Sequence, residues 1–283
     1  MAPDALTAGA PPRVVAHLRS APDGPARVLH RSPAALYVEV AGRCVGVVAP
    51  EAARVPCALR LPAQISGVSA QEVLSAGAPS PYVERGTLYL AGNPLRVGRF
   101  VDVRVPRIDL GRVLRAASPT IAEARPPRPA AGGLAALRGR ASAAPVLQRP
   151  AAGGLAALPP LSPRLDAAVA HALVGNGGGL TPLGDDVLCG WLAVLVATGR
   201  LTDDVTDAVR GALDRTTLLS ATLLDCALHG EVLPEFAAYV AALGTPAQDA
   251  AASALMTIGH TSGSGLWWGA RHALSTLAME NAA

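Results

Sequence analysis

The sequence predicts an α+β protein in which a β-rich, barrel- or sandwich-like N-terminal subdomain precedes an all-helical C-terminal bundle. Short β-branched runs separated by Gly and Pro turns fill residues 13–110. Apolar residues at helical spacing, with Pro near helix starts and Gly after helix ends, fill residues 164–280. We therefore expect a β-rich domain over 1–121, a linker over 122–163 and a helical domain over 164–283.

Several short segments of the N-terminal part have the composition of strands. The stretch 36–48 predicts two strands around a turn at Ala41 and Gly42. Residues 86–90 predict another strand, followed by a turn at Gly92–Asn93–Pro94. Residues 99–105 predict a further strand, because apolar and polar residues alternate over part of it.

The linker is predicted from its composition. Residues 125–129 read Arg-Pro-Pro-Arg-Pro, a sequence that favours extended backbone. The decapeptide at 128–137 recurs at 149–158, and two copies are too few for a solenoid. We expect little order in this low-complexity, Pro/Ala/Gly-rich segment.

The C-terminal part reads as helices throughout, so we expect a helical bundle. Two of the segments have Pro in the first turn and Gly after the end. The predicted helices cover residues 165–173, 182–198, 203–228 (as one helix or two), 234–243, 246–258 and 266–277.

The basic residues exclude some chemistry. The chain has no lysine, so a P-loop lysine, a Schiff base and a pyridoxal anchor are excluded. Residues 1–163 hold 19 arginines and 9 acids, and residues 164–283 hold 5 arginines and 12 acids. Because the arginines form no long run and aromatic residues do not interleave with them, we expect no nucleic-acid partner.

Cysteine spacing and apolar runs indicate a cytoplasmic protein without a membrane segment. The four cysteines form no Cys-x-x-Cys pair, so we expect small buried side chains in a reducing compartment. The longest apolar run, about a dozen residues, is shorter than the roughly 20 that span a bilayer. The N-terminus lacks the charge and apolar pattern of a signal peptide.

A glycine-rich loop over residues 175–190 is the strongest candidate site. Four glycines before Leu180 let the backbone approach a ligand closely. Thr181 is the expected N-cap and Pro182 the first residue of the following helix. Free N–H groups at a helix N-terminus form an anion site, so we predict that the loop binds a small anion. The predicted ligand-binding residues here are Gly177, Gly178, Gly179, Leu180 and Gly184.

Two adjacent aspartates follow this loop. Asp185 and Asp186 point about 100° apart on a helix, so they cannot both face one spot squarely. We predict that they and Thr181 are catalytic, with one carboxylate as a general base or magnesium ligand. The alternative is that both acids only complement the helix dipole.

A second glycine- and hydroxyl-rich segment covers residues 258–269. Ser262 or Ser264 is suited to cap the next helix. His260 is a candidate proton shuttle, with a capping or packing role as the alternative. Ser262 and Gly263 are predicted to contact the ligand.

A third segment places Thr217 and Ser220 on one helical face. We predict that both orient a polar ligand, although hydroxyls inside helices often bond to the preceding turn. Arg215 is a candidate carboxylate clamp, with a surface ion pair to Asp214 or Asp207 as the alternative.

Several catalytic motifs are absent from the sequence. It contains no His-Glu-x-x-His, no Gly-x-Ser-x-Gly and no Walker loop. The histidines other than His260 show no ligand spacing with one another. We therefore expect no cofactor, and the sequence leaves a metal undecided.

The motif over residues 177–190 resembles the Gly-Leu-Thr-Pro-x-Gly-Asp-Asp-x-Leu-x-Gly signature of the AllH-like family. Residues 216–220 and 259–263 are similar to later blocks of that family. The resemblance covers about residues 165–278, while the N-terminal half is similar only in its β-rich character.

This resemblance implies a subunit of an oxamate carbamoyltransferase system in purine or allantoin breakdown. The substrates implied are small anions, namely carbamoyl phosphate with oxamate, or oxalurate with phosphate, and the implied partner is an FdrA-like subunit. Backbone N–H groups would stabilise the oxyanion of acyl transfer. A non-catalytic anion-binding subunit and a metal-dependent hydrolase of a small anion are the alternatives.

Overall fold

The computed structural model describes residues 6–65, 68–75, 80–116, 158 and 164–282. Within them a curled N-terminal sheet precedes a set of helices, which confirms the predicted α+β class. The predicted linker and both copies of the decapeptide lie outside the described residues, except for Leu158, the last residue of the second copy.

The N-terminal part contains a nine-stranded sheet in the order β2-β9-β10-β11-β1-β6-β5-β4-β3. Its two edge strands, β2 and β3, are separated in the chain only by Ala26, so the sheet curls into a nearly closed barrel. A short hairpin, β7–β8, lies outside it. The strands are β1 (Leu6–Ala10), β2 (Gly24–Pro25), β3 (Arg27–Arg31), β4 (Ala35–Val40), β5 (Arg43–Val48), β6 (Ala58–Arg60), β7 (Gln64–Ile65), β8 (Val68–Ser69), β9 (Tyr82–Glu84), β10 (Thr87–Leu90) and β11 (Asn93–Phe100).

The β4–β5 hairpin confirms one predicted turn. Ala41 and Gly42 both have positive φ, 45° and 77°, as a two-residue hairpin turn requires. This turn fixes a regular antiparallel register between β4 and β5. Side chains on one face of the hairpin fill the barrel, and those on the other face meet the helices.

The predicted bounds of the turn and of the strand within residues 92–105 were wrong. The turn occupies Ala91 and Gly92, and strand β11 begins at Asn93. Asn93 already pairs with Leu90, because the tight turn closes one residue earlier than expected. Strand β11 ends at Phe100, and the predicted strand continues only as a single bridge between Arg104 and Glu231.

Three helices of the N-terminal part were not predicted. They are α1 (Pro12–Ser20), α2 (Ala70–Ser75) and α3 (Leu110–Ala116). Helix α1 buries Val14, Val15 and Leu18 in the barrel core. The β-branched residues of this segment favoured a strand, but Pro12 at the helix start and burial of one face decide for a helix.

The C-terminal part is helical, as predicted. The region predicted as one helix or two over 203–228 is two helices with a 3-10 turn, Leu213–Arg215, between them. The last helix starts four residues earlier and ends five residues later than predicted. The helices are α4 (Ala167–Leu173), α5 (Leu183–Thr198), α6 (Asp203–Arg210), α7 (Leu218–Leu228), α8 (Pro234–Ala242), α9 (Gln248–Met256) and α10 (Ser262–Ala282).

Helices α5 and α10 form the centre of the bundle. Helix α5 is buried almost all round, and Trp191 is 1% exposed. A Cβ atom at Gly190 would overlap the carbonyl oxygen of Leu266, and one at Gly269 would overlap that of Val187. The two helices therefore pack backbone against backbone, which holds the start of α5 beside the start of α10.

Ion pairs and backbone bonds join the barrel to the helices. Arg13 of α1 donates to Asp225 at 2.7 Å and to Glu231 at 2.8 Å, and Arg43 pairs with the same Asp225 at 2.6 Å. The amide of Val232 donates to the carbonyl of Val103. These contacts fix the segment between α7 and α8 against the barrel.

All four cysteines are buried free thiols, as predicted. None of the described helices combines the length and apolarity that a membrane crossing needs.

Candidate functional site

A cavity of about 200 Å³ lies where the barrel meets the helical part. The barrel side contributes Tyr37, Ala53, Val55 and Pro56, and the C-terminal part contributes the rest. Most of the wall is apolar, which is typical of small-ligand cavities. Its polar side chains come from Tyr37, Thr181, Asp186, Cys189, Glu231 and Ser262.

The start of helix α5 differs from the predicted cap. The helix begins at Leu183, and Pro182 occupies the cap position without a side-chain cap. Thr181 does not cap the helix, because its hydroxyl pairs with that of Ser262 at 2.9 Å. The Pro182 carbonyl accepts from the amides of Asp185 and Asp186, so the backbone itself closes the first turn.

Asp185 is buried on the side of α5 that faces α4 and α7. Its Oδ1 accepts from the Gly175 amide at 2.8 Å, and its Oδ2 accepts from the Thr216 hydroxyl. Burial raises the pKa of Asp185, while the hydrogen bonds from Thr216 and Gly175 and the nearby Ser220 hydroxyl oppose that rise. Both oxygens are engaged within the protein, so Asp185 ties the glycine loop to the segment before α7.

Asp186 faces the opposite side of the same turn and lines the cavity. It is 5% exposed, and its Oδ2 is fully buried without a hydrogen-bond partner among the described residues. Burial raises the pKa of Asp186 to about 8; the hydroxyls of Ser262 and Thr181 lower it, and the charge of Asp185 raises it. At neutral pH the carboxyl is therefore mostly protonated.

The glycines of the loop divide into two groups. A Cβ atom at Gly184 would overlap the Leu173 carbonyl oxygen, and the Gly184 amide donates to the backbone carbonyl of Asn176 at 2.8 Å. Gly184 therefore allows α5 to pack closely against the end of α4. Gly177, Gly178 and Gly179 are exposed and precede Leu180, which lines the cavity. No described residue accepts a hydrogen bond from their amides.

The second predicted segment meets the cavity at Ser262 and Gly259. His260 is exposed and does not line the cavity. Gly263 packs against the end of α9, where a Cβ atom would overlap the Leu255 carbonyl oxygen. The role predicted for His260 stays a prediction.

The third predicted segment lies behind the cavity. Thr217 caps α7 by accepting from the Ser220 amide at 3.1 Å, and its hydroxyl donates to the Leu180 carbonyl at 2.6 Å. Ser220 is buried and faces Asp185. Arg215 is exposed and donates to the carbonyl of His171. Thr217 thus ties the loop to α7 and Arg215 binds the end of α4, and none of the three residues lines the cavity.

Sequence reasoning missed the barrel wall and Glu231. Glu231 is 8% exposed, lines the cavity and pairs with Arg13. One available signal was a single acid among apolar residues, directly after Gly230 and before the Pro234 helix. Tyr37 lies in a strand whose sequence gave no indication of the helices it would meet.

The described residues contain no group of three or more His, Cys, Asp or Glu side chains arranged to hold a metal ion. None of the described residues that line the cavity is an arginine. Its polar chemistry therefore consists of hydroxyls, one thiol and the carboxyls of Asp186 and Glu231.

Comparison with known proteins supports the family resemblance. Residues 173–274 match the family model described as oxamate carbamoyltransferase subunit AllH. The matched range contains the glycine loop, Asp185, Asp186 and Glu231, which confirms the resemblance predicted for this part of the chain. The N-terminal barrel lies outside the match. The chain matched no curated protein and no solved structure.

Proposed function

We propose that this chain is a subunit of an oxamate carbamoyltransferase-like system and that Asp186 manages the proton on the transferred nitrogen. The proposal includes a role in purine or allantoin breakdown and an FdrA-like partner subunit. The observation that carries it is the buried Asp186 carboxyl, which has an Oδ2 without a partner among the described residues and lines a cavity inside the matched region.

The contacts of the two aspartates support different roles for them in this proposal. Asp185 has both oxygens engaged by Gly175 and Thr216, so it positions the loop. Asp186 has a free oxygen and a pKa of about 8, close to a working pH near neutrality. A general acid or base works best when its pKa is near the operating pH.

The chemistry can be written for both directions. In the breakdown direction, a phosphate oxygen attacks the carbamoyl carbon of oxalurate and the C–N bond breaks. The protonated Asp186 gives its proton to the leaving nitrogen and regains one from the attacking hydrogen phosphate, which yields oxamate and carbamoyl phosphate. In the reverse direction, the ionised Asp186 takes a proton from the oxamate nitrogen as the C–N bond forms and phosphate leaves. A pKa of about 8 keeps both forms of Asp186 populated near neutral pH: the acid that the breakdown direction needs and the carboxylate that the reverse direction needs.

The phosphate group needs a different environment from this cavity. Two carboxyls and no arginine are among the described residues that line the cavity, so a phosphate dianion buried against them would have no counter-charge. The exposed amides of Gly177, Gly178 and Gly179, next to the lining residue Leu180, are the better anion donors. Arginines of the partner subunit are a second source of positive charge in this proposal.

The direct test measures carbamoyl phosphate formed from oxalurate and phosphate, with the chain alone and with its FdrA-like partner. We expect turnover in the assembled system and a loss of about 10²–10⁴-fold in kcat for Asp186→Asn, the usual contribution of general acid–base catalysis. The matched control is Asp203→Asn, because Asp203 is an exposed acid in the first turn of α6. Full turnover in Asp186→Asn would remove Asp186 from the chemistry.

A non-catalytic subunit is the second candidate function. It is favoured by the lack of arginine among the described lining residues of the cavity, since both substrates are anions. In that case the chain binds one substrate or a product, and the reacting groups belong to another subunit. Asp186→Asn would then change the ligand affinity of the chain and leave the kcat of the assembled system unchanged.

A further inference from the structure

The polar groups of the cavity indicate which part of a ligand would lie next to Asp186. Asp186 offers a buried carboxyl with an unpartnered Oδ2, and the hydroxyls of Thr181 and Ser262 lie beside it. Phe236 and Tyr37 are part of the surrounding wall. A ligand that fills this cavity therefore presents apolar surface to the wall and a hydrogen-bonding group to Asp186.

We propose that the cavity binds the uncharged primary amide or ureido end of its ligand against Asp186 and rejects a carboxylate in that position. Any carboxylate of the same ligand then points to the cavity mouth, toward the exposed glycines of the loop. The inference deepens the proposed function by assigning the orientation of the ligand.

The complementarity is one of donors and acceptors. A protonated carboxyl has one O–H donor and one carbonyl acceptor on the same edge. A primary amide has one carbonyl acceptor and one N–H donor on its own edge. The two groups therefore form two parallel hydrogen bonds, in which the acid O–H donates to the amide carbonyl and the amide N–H donates to the acid carbonyl. Such a pair would give the unpartnered Oδ2 of Asp186 a partner.

A carboxylate in the same place lacks a counter-charge. Glu231 lines the cavity as a second carboxyl, and the guanidinium nearest to it, that of Arg13, already binds Glu231 and Asp225. Burying another negative charge beside these groups costs desolvation without an opposing ion pair. The amide end avoids this cost because it is neutral.

The interaction with an amide depends on the protonation of Asp186, whose pKa burial raises to about 8. The titratable groups around Asp186 are Asp185 and Cys189 on its own helix, Glu231 at the α7–α8 connection and Tyr37 on the barrel. Helix α10 contributes the Ser262 hydroxyl and Gly265 to this side. Above the pKa, an ionised Asp186 no longer donates to the amide carbonyl, so amide binding weakens as the pH rises.

The test uses the full chain and three probes that share a phenyl ring. Benzamide is a neutral primary amide, N,N-dimethylbenzamide is a neutral amide without an N–H group, and benzoate is a carboxylate. Isothermal titration calorimetry at pH 6.5 and pH 9.5 gives their affinities. We expect benzamide to bind at pH 6.5 at least tenfold more tightly than either analogue. Its affinity falls at least tenfold by pH 9.5, because Asp186 loses its proton.

Two variants locate the effect. Asp186→Leu is expected to abolish the preference for benzamide, and Asp186→Asn to retain benzamide binding without the change between pH 6.5 and pH 9.5. Thermal unfolding shows whether each variant is folded. Equal binding of benzamide and N,N-dimethylbenzamide, tighter binding of benzoate, or no binding of any probe by the folded chain would overturn the inference.

The result is separable from that of the turnover experiment. Benzamide selectivity without carbamoyl transfer in the assembled system retains the amide site and removes the proposed function. Transfer without benzamide selectivity retains the proposed function and removes the proposed orientation of the ligand.

Discussion

The two faces of the first turn of α5 use the same residue type in opposite ways. On the face toward α4 and α7, Asp185 has a donor on each oxygen, and Gly184 lets the backbones touch. On the face toward α10 and the barrel, Asp186 has an unpartnered oxygen and a cavity in front of it. The first face is closed and the second is open, although the residues are neighbours in the sequence.

This difference shows how one short motif carries both structure and chemistry. The closed face uses hydrogen bonds to fix the loop, which contributes to stability. The open face holds a carboxyl in an environment that disfavours its charge, which costs stability and raises its pKa. Buried groups that reduce stability in this way are found preferentially at functional sites.

The largest effect is expected at the closed face, for Gly184→Ala. A Cβ atom there would overlap the carbonyl oxygen of Leu173 and crowd Asn176, so α4 and α5 must separate. We expect the free energy of unfolding to fall by more than about 3 kcal/mol, as for other forced overpacking of rigid backbone. Urea denaturation followed by circular dichroism measures this change.

Gly178→Ala is the matched control for that variant. No atom lies within 4 Å of a Cβ atom at Gly178, and its φ is outside the left-handed region. We expect a change within about 0.5 kcal/mol, as for other surface substitutions. A Gly184→Ala chain as stable as Gly178→Ala would mean that α5 is not packed against α4 as described.

The open face gives the second prediction, in which Asp186→Asn stabilises the chain. The pKa of Asp186 is raised from 3.8 to about 8, so between these values the folded chain keeps a proton that the unfolded chain has lost. Stability therefore falls as the pH rises from 3.8 to about 8 and then levels off. Asparagine removes this dependence, and we expect a gain on the order of 3 kcal/mol at pH 8.5.

The measurement compares urea denaturation of both chains at pH 4 and pH 8.5. The two chains should differ least at pH 4, where Asp186 is protonated in the folded state and partly protonated in the unfolded state. Asp203→Asn serves as the control at an exposed acid. An Asp186→Asn chain that is less stable than the parent at pH 8.5 would show that the Asp186 carboxylate is paired in solution.

The same two faces explain which parts of the site could be predicted. The motif identified both aspartates, because a glycine loop before a helix and two acids in its first turn are local features. It could not tell which aspartate faces a ligand, since that depends on how α5 is rotated against α10. The contacts of Gly190 and Gly269 set this rotation, and they join residues far apart in the sequence. For the same reason Glu231 and Tyr37 were missed.

The fold shows a similar division between local and distant information. The hairpin around Ala41 and Gly42 could be predicted because its turn chemistry is local. The start of β11 could not be predicted, because Asn93 and Pro94 have the composition of a turn. In the structure both residues pair with β10 and belong to the sheet. Helix α1 was missed because its helical form depends on burying Val14, Val15 and Leu18 against the barrel.

The smallest change in the free energy of unfolding is expected for Thr216→Val, which tests the face of α5 that contains Asp185. Valine keeps the shape of the side chain and removes the hydroxyl that donates to Oδ2 of Asp185. The buried oxygen would lose its partner, and the pKa of Asp185 would rise further because that hydrogen bond lowers it. We expect a loss of about 1–2 kcal/mol in the free energy of unfolding at pH 7.

The control is Thr206→Val in α6, where the hydroxyl donates only to a backbone carbonyl of the preceding turn, that of Thr202. We expect this change to stay within about 0.5 kcal/mol, because such back-bonding contributes little. Benzamide affinity in Thr216→Val should remain within about twofold of the parent, since Asp185 does not line the cavity. If benzamide binding were lost together with the hydroxyl of Thr216, the two faces of α5 would act as one site, and the separation of positioning from chemistry would be wrong.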